Sequence, residues 1–288
     1  MTSHSGAIEA PSGKEAADEN FPVGSWLLPA RLRHSIAVYY AFARATDDIA
    51  DDPDLPPEDK VARLDAFDSA LQGRIIDDPR LEKAARLREV MTEKGIPTRH
   101  GSDLLIAFRQ DATKHRYRDW DDLIGYCINS AAPVGRYLID LHGESDDAYP
   151  ASNALCNALQ ILNHLQDCQK DFRELDRVYL PGDWMKEAGV TVADLDAPSS
   201  NPDLRRVLDQ CLDGVEELLI SAGQLPGRIK YWRLALESAV IYHIAVRLTR
   251  RLRRQDPVAE RVELNKFDYL LCAVEGCFHT LFRRRTHP

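Results

Sequence analysis

The chain is predicted to be all-α, and three observations carry that expectation. Apolar residues recur at three- to four-residue steps along nearly the whole length. No stretch of useful length alternates apolar and polar residues as a half-buried strand would. Pro29, Pro53 and Gly95 stand at the ends of periodic segments, where helices start and stop.

Residues 1 to about 17 have the composition of a disordered tail, polar and rich in small residues. Pro29 suits a first helical turn, and Leu32, Ile36, Tyr39, Tyr40 and Ala43 then form a stripe that Pro53 closes. A second helix is expected from about Pro57 to Leu71, a third from Arg80 to Gly95, and a fourth from about Thr98 to Lys114. The segment from Asp119 to Gly143 opens with acids suited to a helix N-terminus. It continues past Pro133, which removes a backbone donor and should kink the helix. Later helices are expected at about 151–173, 202–223, 227–255 and 263–283. With no internal repeat and no linker, residues 18–288 read as a single domain.

Composition narrows the function. At 288 residues the chain can bury a sizeable core, and 44% hydrophobic with 29% charged residues is ordinary for a soluble protein. A net charge of -9 speaks against a general nucleic-acid surface. The N-terminus has no signal-peptide pattern and no apolar run could span a bilayer, so a cytoplasmic protein is expected. Six scattered cysteines without CxxC spacing favour reduced, buried thiols over zinc ligation or a disulfide framework.

One stretch resists a purely structural reading. In YYAFARATDDIADD, Tyr39 to Asp52, acids gather at a helix C-terminus, where the dipole favours cations, and Asp47 and Asp51 repel at i,i+4 spacing. Either this is a solvated helix end, or a hard divalent cation offsets the repulsion. A second acid set lies far along the chain. In NALCNALQILNHLQDCQKDF, residues Asn163, Asp167 and Asp171 follow at i+4 steps and share one face. Gln160 and Asn163 border the apolar stripe of Leu155, Leu159 and Leu162, which turns the polar face partly inward. Alone, each motif is compatible with an amphipathic helix; together they suit magnesium ions bridging to a diphosphate. Loss of diphosphate leaves a carbocation, which aromatic faces stabilise, and Phe21, Tyr40, Phe42, Tyr126 and Tyr137 lie close to the motifs in sequence. His164 has no second histidine at metal spacing and reads as a supporting polar group.

These stretches, with YCINSAAPVG (Tyr126 to Gly135), NHLQDCQKD (Asn163 to Asp171) and RVYLP (Arg177 to Pro181), resemble the squalene and phytoene synthase family from about Glu19 to the C-terminus. The resemblance implies a type I isoprenoid synthase helical fold with a central cavity. It also implies Mg²⁺ and diphosphate binding by Asp47, Asp48, Asp51, Asn163, Asp167 and Asp171. Arg44 would contact phosphate, Arg177 and Tyr179 would line the site, Tyr126 would join the catalytic set, and Ser130, Ala131 and Ala132 would leave room for a prenyl chain.

The chain departs from that pattern at two places. Glu19 to Val23 replaces a Ser-x-Ser-Phe segment, and Gln166 stands where many members carry arginine, so cationic partners for a second diphosphate are missing. These departures, with SAAPVGR (Ser130 to Arg136) and RQDATKHRY (Arg109 to Tyr117), resemble the bacterial hopanoid-pathway branch, whose members are hydroxysqualene synthases acting on presqualene diphosphate. Condensation of two farnesyl diphosphates is the alternative within the family, and a non-catalytic binding protein the alternative outside it. Gln160, Asn163 and Gln166 are candidates for holding a quenching water. No GxGxxG fingerprint follows a strand, which gives no support for a dinucleotide cofactor. The basic runs RLTRRLRRQ (Arg247 to Gln255) and FRRRTHP (Phe282 to Pro288) read either as solvated helix ends or as attraction to the inner membrane surface. A presqualene diphosphate synthase that couples to this chain would be the natural supplier of its substrate.

Overall fold

The computed structural model describes residues 29–284, and Phe21 lies outside them. The chain divides into two compact units, the first ending at Thr113 and the second beginning at Lys114.

The first unit holds α1 (Ala30–Asp51), α2 (Pro57–Leu71), α3 (Glu82–Lys94) and α4 (Arg99–Asp111). Pro57 opens α2 in the first turn, where a missing N–H costs nothing, and Gly95 ends α3 in the left-handed conformation at φ 67°. The core is apolar and close-packed: Phe42 and Phe67 are fully buried with ring centroids 6.1 Å apart, among Leu64, Leu71, Leu87 and Leu104. A β-carbon on Gly101 would sit 2.6 Å from a Leu71 methyl, so glycine lets α4 approach α2.

The second unit runs β1 (Arg116–Tyr117), α5 (Trp120–Ser130), α6 (Ala132–Leu141), α7 (Tyr149–Gln166), α8 (Cys168–Leu175), β2 (Val178–Pro181) and α9 (Gly182–Ala188). It continues with α10 (Pro202–Ala222), α11 (Leu225–Arg228), α12 (Trp232–Leu252) and α13 (Lys266–Arg284). α7 packs against α6, α10 and α12. Gly135 permits the α6 contact, because a β-carbon there would lie 2.3 Å from the Ser152 hydroxyl.

Three helices expected to be continuous are divided. The kink at Pro133 is a full break: Ala131 leaves helical geometry at φ -122°, and Pro133 falls in the first turn of α6, where it forfeits no bond. The helix expected over 151–173 breaks at Asp167, and that over 227–255 divides into α11 and α12. The parallel pair β1–β2 and the short α9 were not expected. The cysteines of the described residues are free thiols, with Cys127, Cys168, Cys211 and Cys272 buried, and burial pushes the Cys168 thiol up to about 12.

Candidate functional site

In the first unit the acids at the end of α1 are not equivalent. Arg44 lies one turn back, its Nη1 3.0 Å from Asp47 Oδ2, while its Nε and Nη2 donate to Asp48 Oδ1 at 3.0 and 2.6 Å. Asp48 is buried at 6% exposure, so it turns into the protein and fixes the guanidinium. Burial opposes the Arg44 charge, but Asp47 and Asp48 outweigh it and raise the arginine's pKa. Asp47 and Asp51 are only partly covered. The last turn of α1 carries no basic residue to offset the dipole. Lys60 of α2 does so instead, its Nζ donating to the Ala50 carbonyl at 2.9 Å. Tyr40 is partly exposed on the same helix.

In the second unit the acids straddle the α7–α8 junction. The Asp167 N–H donates to the Asn163 carbonyl at 3.0 Å and the Asp171 N–H to the Asp167 carbonyl at 2.8 Å, so the one-turn spacing survives the break. Burial raises the Asp167 pKa, the Asp171 charge adds to the rise, and Arg261 works against it with Nη2 3.5 Å from Asp167 Oδ2. His164 Nδ1 lies 3.8 Å from Asp171 Oδ2. The Gln160 amide lies 3.2 Å from His164 Nε2, and when it donates there the ring proton rests on Nδ1, toward Asp171.

An aromatic group sits beside these acids. The His164 ring stacks on Tyr179 at 3.5 Å with 10° between planes, and Tyr126 lies 5.6 Å from Tyr179 and 5.9 Å from His164. Tyr117 of β1 completes it, 5.4 Å from both tyrosines, which explains the strand pair: β1–β2 pairing brings Tyr117 and Tyr179 together. Arg177 is buried, and its N–H donates to the Asp171 carbonyl at 3.1 Å. Tyr137 is buried in α6, and Phe42 belongs to the core of the first unit.

The structure thus gathers Tyr126, Asn163, His164, Asp167, Asp171, Arg177 and Tyr179 in one unit and Tyr40, Arg44, Asp47, Asp48 and Asp51 in the other. Gln166 faces away from solvent, 4% exposed, and its Nε2 donates to the Val262 carbonyl at 2.5 Å. Arg261 and Tyr117 went unforeseen. Asp167 needs a cation, and Arg261, in a loop with no periodic signal, supplies it; Tyr117 lies on a strand of two residues.

Among the described residues no three His, Cys, Asp or Glu side chains converge as a metal-binding group. A hard divalent cation that keeps its waters and shares substrate oxygens needs only one or two carboxylates, and Asp167 with Asp171 offers two. Their repulsion and the burial of Asp167 are what such an ion would relieve.

Solved structures place the fold among the all-α isoprenoid synthases. The squalene synthase HpnC from Alicyclobacillus acidocaldarius superposes with a TM-score of 0.72 at 29% identity, covering 83% of this chain and 90% of that one. The chain belongs to the squalene/phytoene synthase family, whose sequence profile matches residues 14–268. It is similar to the hydroxysqualene synthase of Rhodopseudomonas palustris, 45% identical over 96% of this chain and 94% of the relative. The hydroxysqualene synthase of Sinorhizobium fredii is 41% identical over 99% and 95% of the two chains.

Proposed function

We propose that this chain is an Mg²⁺-dependent lyase that converts presqualene diphosphate and water to hydroxysqualene and diphosphate in hopanoid biosynthesis, its two units serving as one catalytic domain. The observation that carries this reading is the likeness, over nearly the full length of both chains, to relatives named hydroxysqualene synthase.

The chemistry asks four things of the residues. Diphosphate must leave with both electrons of its carbon–oxygen bond, and Mg²⁺ bound by Asp47, Asp51, Asp167 and Asp171 would neutralise the charge on the leaving group. Arg44, held by Asp48, would meet a phosphate oxygen as a fixed cation. The rings of Tyr117, Tyr126 and Tyr179 would present electron-rich faces to the carbocation as it rearranges. Water then forms the new carbon–oxygen bond and gives up a proton. Gln160 and Asn163 remain the candidates for placing that water, whereas the Gln166 amide donates to the Val262 carbonyl.

Condensation of farnesyl diphosphate is the second reading, favoured by the solved relative titled a squalene synthase. Separate incubations with farnesyl diphosphate and with presqualene diphosphate distinguish the two. Turnover of presqualene diphosphate alone supports the lyase, and consumption of farnesyl diphosphate alone overturns it. A separate synthase must supply presqualene diphosphate to such a lyase. Contact with an anionic membrane surface is also part of this reading. No helix of the described residues is long and apolar enough to cross a membrane, but α13 exposes Phe267, Leu270, Val274, Phe278 and Leu281 along one stripe, and the sequence beyond continues Phe-Arg-Arg-Arg.

A further inference from the structure

Gln166 directly precedes Asp167, yet it makes a long-range contact: from the last position of α7 it donates to the backbone carbonyl of Val262. The donor is buried and Val262 is 1% exposed, so the bond is shielded from competing water. The residue before Val262 is Arg261, whose guanidinium stands 3.5 Å from Asp167. The hydrogen bond therefore ties the segment bearing the cation to the residue beside the carboxylate that the cation meets.

Other contacts hold the loop on either side of Arg261, and the tie from Gln166 acts on the residue next to it. The loop between α12 and α13 is pinned at its start, where Asp256 accepts bonds from the Ser200 N–H and hydroxyl and from the Val258 N–H. It is pinned again near its end, where Arg251 Nη1 donates to the Glu263 carbonyl at 2.9 Å. Arg261 is itself 43% exposed and has a rival partner, its Nε lying 3.2 Å from Glu263 Oε1. An arginine with two carboxylate partners and a long, rotatable stem is held to one of them by the placement of its backbone.

We propose that Gln166 is a positioning residue, its amide holding the Val262 carbonyl so that the Arg261 guanidinium stays beside Asp167 when the site takes up a diphosphate. This rests on the proposed function and goes beyond it. It gives Gln166 a role through the protein backbone in place of a contact with substrate or quenching water.

The test is a double-mutant cycle read by calorimetric binding of inorganic diphosphate in the presence of Mg²⁺, a measurement that involves no turnover. Gln166→Met removes the donor at similar volume, and Gln166→Asn keeps an amide too short to reach. Each is expected to weaken diphosphate binding by about 10-fold, the usual scale for a supporting partner of a binding group. In an Arg261→Ala background the same changes should have no further effect, because the group being positioned is gone. Additive losses in the double variants overturn the proposal, as does unchanged binding in folded Gln166→Met and Gln166→Asn. If Gln166→Met fails to fold, the cycle is completed with Gln166→Asn, melting curves identifying the folded variants. Wild-type protein that binds no diphosphate overturns both this inference and the proposed function. Wild-type binding with an additive cycle overturns this inference alone.

Discussion

Asp48 and Asp51 share one helix end and differ in what surrounds them. Asp48 is buried against Arg44, so Asp48→Asn should destabilise the fold by about 1–3 kcal/mol, the scale for disturbing a buried charged hydrogen bond. Asp51→Asn should change stability by less than about 0.5 kcal/mol and reduce turnover by at least about 100-fold, beyond what loss of a supporting group does. Urea unfolding and single-turnover assays on the pair separate the roles, and equal stability losses would make both acids structural. Asp167 carries a pH signature. Its folded pKa is raised above the ordinary 3.8, so the folded state binds the extra proton, and stability falls as pH climbs from the unfolded value through the folded one. Once ionised, the carboxylate is a liability, which Asp167→Asn should remove. The variant should melt at or above the wild-type temperature near neutral pH and lose part of the wild-type decline that sets in as pH rises above the ordinary carboxylate value. A variant that melts lower throughout would show Asp167 to be a structural anchor. The acids could be read from the sequence because their crowding is unfavourable on its face. The division between Asp48 and Asp51 could not, since it depends on which way each side chain leaves the end of α1. Arg261 was equally hidden, because an arginine in a loop takes its meaning from the carboxylate it meets.

Helices were legible where local signals agreed. α2 begins and ends where Pro57 and Leu71 predict, and α3 stops at the glycine expected to stop it. Apolar periodicity runs straight through a break when both halves keep one face buried, which is why α5 and α6, and α7 and α8, read as single helices. At Asp167 the backbone bonds from Asp167 to Asn163 and from Asp171 to Asp167 keep the spacing while the helix itself is interrupted. Strands of two and four residues leave no alternation to detect. The exposed stripe of α13 yields its own prediction. Replacing Phe267, Leu270 and Phe278 together by serine should reduce co-sedimentation with anionic phospholipid vesicles several-fold, since binding scales with buried apolar area. Turnover of detergent-dispersed substrate should be unchanged. Equal vesicle binding by both proteins would remove α13 as the contact.

At the scale of the whole molecule, the family profile extends across both units, so the two acid motifs fall within one evolutionary unit although each is built from its own helices. The net charge of -9 makes the clustered arginines near the C-terminus stand out, and on the proposed reading anionic substrate binding would fall to locally held cations such as Arg44. The central claim is that the cation formed from presqualene diphosphate is captured by water and not by hydride. The most direct measurement is product analysis after incubation of the protein with presqualene diphosphate and Mg²⁺ in ¹⁸O-labelled water, with and without NADPH. Hydroxysqualene bearing the label as the main product, in equal yield under both conditions, is the predicted result; squalene formed only when NADPH is present, with the alcohol a minor product, would contradict it.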